Sequence, residues 1–185
     1  MKRVLLGCVF LLAGCAGQSA TSHQSYLLPD VNQTNLVTSS APLLVVEVEL
    51  APYLDVNGIV YRTSSTEVVE AKQNTWAMDA GDMVQRQVIA MLRTMQSQYW
   101  PVDPNPSLKL ADQPKLLIKL DKFNGSVAGN AEVSGEWLLL SQSGEIIKGE
   151  GYNHTVALEQ DGYAALVTAL SQALSLTISD VSKQI

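Results

Sequence analysis

The chain predicts an α+β fold: a single domain with a mainly antiparallel or mixed sheet and two long helices packed on one of its faces. Two kinds of observation carry this. Apolar residues alternate with polar ones over Leu43–Leu50, Leu116–Asp121 and Ala131–Leu139, the period of half-buried strands. Near Trp76–Tyr99 and Asp161–Ser182 they recur every three or four residues instead, the period of amphipathic helices. Strands, helix, strands, helix in that order is an α+β arrangement.

The elements read in order as follows. Tyr26–Pro29 is a short strand stopped by its proline, and 30–42 is loop. Leu44, Val46, Val48 and Leu50 share one face of the next strand, with Glu47 and Glu49 opposite, and Pro52 ends it. Gly58 opens a strand over Ile59–Arg62, with a second over Thr66–Glu70 beside it. The first helix spans Trp76–Tyr99, capped by Asn74 or Thr75, with Val84, Val88, Met91, Leu92, Met95 and Tyr99 as its buried stripe. Four prolines make 101–114 a loop. Three strands follow, with a bulge expected at Gly135. The last helix buries Tyr163, Leu166, Val167, Leu170, Leu174, Ile178 and Val181. Its back carries Thr168, Ser171, Gln172, Ser175 and Ser179, uncharged where an exposed helix back is usually charged, which marks it as a candidate oligomer face.

The first residues carry the clearest functional signal. Lys2-Arg3, an apolar run Val4–Leu12, then Leu12-Ala13-Gly14-Cys15 reproduce the layout of a secretory signal. Nine residues are too few to cross a bilayer, which takes about 20. Residues 1–14 therefore read as a removed signal, 15–25 as an anchor and flexible tether, and 26–185 as the folded domain. Without residues 1–14 the chain keeps 10 basic and 18 acidic residues, a net charge of −8. Such a charge argues against a nucleic-acid partner. Cys8 leaves with the signal, so no pair of thiols remains for a disulfide or a cysteine metal site.

Catalytic sets are not legible. His23 lies in the tether and His154 on the last strand, and the chain has no Gly-x-Ser-x-Gly elbow and no His-Glu-x-x-His pair. The expectation is a non-enzyme with no cofactor and no metal.

Several segments fall in a recognisable order: Leu-Ala-Gly-Cys15, Tyr26-Leu27-Leu28-Pro29, Val46-Glu47-Val48, Ala51-Pro52-Tyr53-Leu54-Asp55, Gly58–Arg62, Trp76, Leu116–Phe123, Trp137 and Tyr163–Val167. Together they resemble the auxiliary lipoproteins of ABC-type and MCE transport systems, the PqiC (YmbA) family. The resemblance implies cleavage before Cys15 and lipidation of that residue. Ala16, in place of an aspartate, implies sorting to the outer membrane, with the domain facing the periplasm. It further implies an MCE-domain partner (PqiB-like), through it an inner-membrane protein (PqiA-like), a homo-oligomeric ring, and a role in lipid transport and envelope integrity. The loop residues Tyr53, Leu54, Asp55 and Tyr61 are the candidate partner contacts. The alternative is a periplasmic carrier that holds lipid in the domain itself.

Overall fold

The computed structural model describes residues 22–32 and 40–185; Cys15, the signal and most of the tether lie outside them. Eight strands and two helices follow in the order β1 (Gln24–Tyr26), β2 (Leu43–Leu50), β3 (Gly58–Arg62), β4 (Val68–Trp76), α1 (Ala80–Met95), β5 (Trp100–Val102), β6 (Lys115–Ser126), β7 (Asn130–Leu140), β8 (Ile146–Ala157) and α2 (Tyr163–Ser182). The architecture is α+β with one mixed sheet, as the alternation predicted.

The sheet is organised by β6. One of its edges pairs antiparallel with β7, which pairs antiparallel with β8. Its other edge is shared. Leu116–Leu120 pair in parallel with Val46–Leu50 of β2, while Gly125 and Ser126 pair in parallel with Tyr61 and Arg62 of β3. Beyond β2 lies β5, and beyond β3 lie β4 and β1. One strand edge holds one neighbour at a time, so β2 must leave before β3 arrives. Ala51 makes the last bond, to the Leu120 carbonyl at 2.9 Å. The chain then crosses over 52–57 and re-enters as β3.

The two halves of β6 meet at a bulge. Leu120 faces Gly135 and Lys122 faces Ser134, leaving Asp121 without an opposite residue. The irregularity expected at Gly135 is therefore carried by Asp121 on the neighbouring strand. Gly135 is required for another reason: a Cβ there would collide with the Lys119 carbonyl and lie 3.0 Å from the Tyr152 hydroxyl. Tyr152 reaches from β8 across β7 at this glycine and donates to the Lys119 carbonyl at 2.7 Å. Three strands are thus tied together beside the bulge.

Both helices cover one face. Sheet residues Leu44, Val46, Leu116, Ile118, Phe123, Val133 and Trp137 share a core with Val84, Val88 and Leu92 of α1 and with Leu166, Leu170, Leu174 and Ile178 of α2. By length and composition α2 could cross a membrane; here its apolar side is the largest helical contribution to the core.

Four boundaries differ from the sequence reading. Strand β1 begins at Gln24, inside the segment read as tether, and ends at Tyr26, before Pro29. Trp76 closes β4 instead of opening α1, because its N–H bonds the Asn57 carbonyl at 2.8 Å and its ring meets Phe123 at 6.0 Å. The helix is capped by Asp79, whose Oδ1 accepts from Asp82 N–H at 2.9 Å. It ends at Met95, short of Tyr99, where the Gln96 side chain bonds both the N–H and the carbonyl of Tyr99. Residues 101 and 102, read as the start of a loop, form β5 together with Trp100. Pro101 is tolerated there because β5 is an edge strand.

Gly135→Ala is expected to lower stability by about 1–3 kcal/mol, the usual cost of forcing atoms into filled space, as read by chemical denaturation. Tyr152→Phe removes one partly buried hydrogen bond and is expected to cost about 1 kcal/mol. Burial, aided by the Asp121 charge, raises the Tyr152 pKa above its usual value of 10. The folded state therefore holds this proton where the unfolded chain has released it, so stability falls as pH rises above 10. Denaturation midpoints between pH 9 and 11 should fall less steeply in Tyr152→Phe than in the parent.

Candidate functional site: the sheet joint, the outer face of the last helix and the free edge

The crossover 52–57 and the bulge build a polar joint on the helix-free face. A Cβ on Gly125 would meet Tyr61 and Leu166, so this register faces α2, and Arg62, Asn124 and Ser126 alternate to the other side. Asn124 is fully buried. Its Nδ2 donates to Glu132 Oε2 at 3.2 Å and to the Gly125 carbonyl at 3.0 Å. Glu132 also draws Arg62 Nε to 3.6 Å and Lys122 Nζ to 3.7 Å. Tyr53 donates to the Asp121 carbonyl at 2.6 Å and lies 3.4 Å from Asn124 Oδ1. Burial raises the Tyr53 pKa, with Arg62 opposing it. A groove of about 310 Å³ opens beside this cluster against Ser65–Val68.

The four candidate contact residues of the loop are separated by this geometry. Leu54 is 3% exposed and belongs to the core. Tyr53 is bound to the bulge. Tyr61 points the other way and donates to the Ser126 carbonyl at 2.6 Å. Of the four, only Asp55 is fully open to solvent. Leu54, buried as it is, is corrected from a candidate contact to a packing residue, because the crossover must fill the gap between β2 and β3.

The candidate oligomer face of α2 is graded. Thr168 and Gln172 are exposed, while Ser171, Ser175 and Ser179 are half-buried. Thr168 bonds back to the Ala164 carbonyl at 3.1 Å. Leu176, 49% exposed, adds an apolar residue to the open side. Thr168 and Gln172 border a groove of about 130 Å³ running to Ala157 and Glu159. Further along the seam between α2 and β8, His154 Nε2 lies 3.3 Å from Asp180 Oδ2, and Gln184 donates to Glu150 at 2.6 Å. His154 thus ties a strand to a helix. At the other edge His23 lies 3.0 Å from Thr75 Oγ1, held beside β4 despite its place in the tether.

One feature escaped the sequence reading. Strand β8 pairs only with β7, so among the described residues its other edge is free along its whole length. A row of unpaired backbone groups is a template for a further strand. The exposed Ile146, Ile147, Lys148 and Glu150 near its start were the available signal. Among the described residues no group of three or more His, Cys, Asp or Glu side chains gathers as a metal site.

Polar side chains here brace the sheet, and the open features are an edge, a helix back and shallow grooves. The sequence of residues 26–182 matches the family described as ABC-type transport auxiliary lipoprotein component, and the chain belongs to that family. It is 33% identical, over all of its own length and 98% of theirs, to the intermembrane transport lipoprotein PqiC of Escherichia coli K12 and of Shigella flexneri. A solved protein described as uncharacterized shares 28% identity at a TM-score of 0.72, over 88% of this chain and 98% of its own. A Xanthomonas campestris protein of the DUF330 family shares the fold at 20% identity and a TM-score of 0.62, over 86% of this chain and 90% of its own. The chain is accordingly an envelope lipoprotein of the transport-auxiliary kind.

Asn124→Ala would leave Glu132 with one donor fewer inside the joint. The expected loss is about 1–3 kcal/mol, the cost of an unsatisfied buried group, measured by thermal or denaturant unfolding.

Proposed function

We propose that this protein is the outer-membrane docking subunit of an intermembrane lipid transport system. Lipidated at Cys15 and facing the periplasm, it holds the far end of a periplasm-spanning MCE-domain protein (PqiB-like) that leads to an inner-membrane protein (PqiA-like). The observation that carries the reading is the lipobox cysteine placed eight residues before an ordered His23, on a domain of the transport-auxiliary family. A docking subunit needs an anchor, a rigid body and open surface, and needs no cofactor. Several acyl chains, each contributing roughly 0.8 kcal/mol per buried methylene, make such an anchor lasting.

The carrier alternative asks for an enclosed, chain-sized apolar cavity. One groove of about 470 Å³ among the described residues opens to solvent and is lined by Tyr61, Leu158, Tyr163 and Leu166 together with Glu159, Gln160 and Asp161. A ring of copies fits the reading. Ring closure uses two unlike patches per subunit, and the α2 back (Thr168, Ser171, Gln172, Ser175, Ser179) supplies one.

Thr168→Lys and Gln172→Lys place charges on exposed positions that leave the core intact. The oligomer mass in detergent, by light scattering, is expected to fall to that of the monomer, and an unchanged mass would remove α2 from the interface. Cys15→Ser is expected to remove the protein from the outer-membrane fraction, with the folded domain retained.

A further inference from the structure

The strand directions fix how the domain stands on its anchor. Strands β3, β6 and β8 run one way and β4 and β7 the other. One end of the sheet therefore gathers the 127–129 turn, the 63–67 turn and the 158–162 segment that leads into α2. The opposite end holds the 141–145 turn and the start of β8.

Strand β1 runs parallel to β4, with Gln24 opposite Asn74 and Tyr26 opposite Trp76. The start of β4 sits at the first end, since Val68 faces Arg62 and Arg62 faces Ser126. The chain therefore enters β1 from the side of the 127–129 turn. Thr75 faces Gly58, three residues before Tyr61, which faces Gly125. At roughly 3.3 Å per residue the entry point is about 13 Å from the first end. Counting the other way, Lys115 lies about 23 Å distant, with the 141–145 turn further still. Cys15 lies eight residue steps before His23, a reach of at most about 28 Å.

Exposed apolar residues stand at the near end, as Ile146 and Ile147 do at the far one. Val127 is 65% exposed at the tip of its turn, and Val68 and Val69 are 41% and 44% exposed at the start of β4. Singly such residues are ordinary; here they stand on the side from which the anchored chain arrives.

We propose that the end bearing Val127, Val68 and Val69 rests on the lipid surface, and that the end bearing Ile146 and Ile147 points away from it. This rests on the reading of Cys15 as lipidated. The contact is confined to these tips, since a domain of net charge −8 gains nothing from lying flat on anionic lipid. The far end then carries Ile147, 60% exposed, and the open start of β8.

The test uses the full lipoprotein with Cys15 intact, carrying Val127→Cys or Ile147→Cys labelled with an environment-sensitive fluorophore. Both positions are exposed, so the labels leave the core untouched; Val68→Cys provides an independent second position at the near end. The protein is reconstituted into vesicles of phosphatidylethanolamine and phosphatidylglycerol containing a spin-labelled headgroup. Several-fold stronger quenching at positions 127 and 68 than at 147 is expected. Equal quenching, or stronger quenching at 147, in protein that floats with the vesicles overturns the orientation and leaves the anchor standing. Protein that fails to float overturns the anchor reading and the orientation with it.

Discussion

The structure depends on one constraint: β6 has a single free edge for two neighbours. Strand β2 takes its first half and β3 its end, and the exchange happens where Asp121 bulges out of the ladder. Most of the unusual features sit at this joint. Gly135 clears room opposite it, Tyr152 bridges it from β8, and Tyr53 seals it from the crossover. The Asn124–Glu132–Arg62–Lys122 cluster braces the outer side. Strands grouped on either side of this exchange give the sheet two distinct ends.

The architecture was legible because it rests on local periodicity. Leu43–Leu50 reads as a strand with the bounds it has in the structure, and the α2 stripe from Leu166 to Val181 is buried as its spacing requires, with Tyr163 half-buried at its start. What was not legible is non-local. Trp76 looks like a helix start until its partner across the core, Phe123, is known. Pro101 looks like loop until β5 is seen to be an edge. Gly135 looks like the bulge, because only pairing reveals that the extra residue is Asp121 on the neighbouring strand.

The candidate contacts divide by the same logic. A loop rich in aromatic and apolar residues invites a partner reading, yet Leu54 and Tyr53 are spent inside the joint. Helix positions are more transparent, since 3.6 residues per turn separates the back of α2 from its core side without tertiary information. The free edge of β8 was hidden for the opposite reason: a strand's sequence does not say whether its second neighbour exists. The expected signal ending at Cys15 asks nothing of the fold, since its reading rests on residue order alone.

The measurement that bears most directly on the docking account is a pull-down from detergent-solubilised envelopes with a C-terminal tag and Cys15 intact. The account predicts recovery of a large MCE-domain protein together with the lipoprotein. Recovery of the lipoprotein alone, at monomer mass, would contradict both the docking role and the ring.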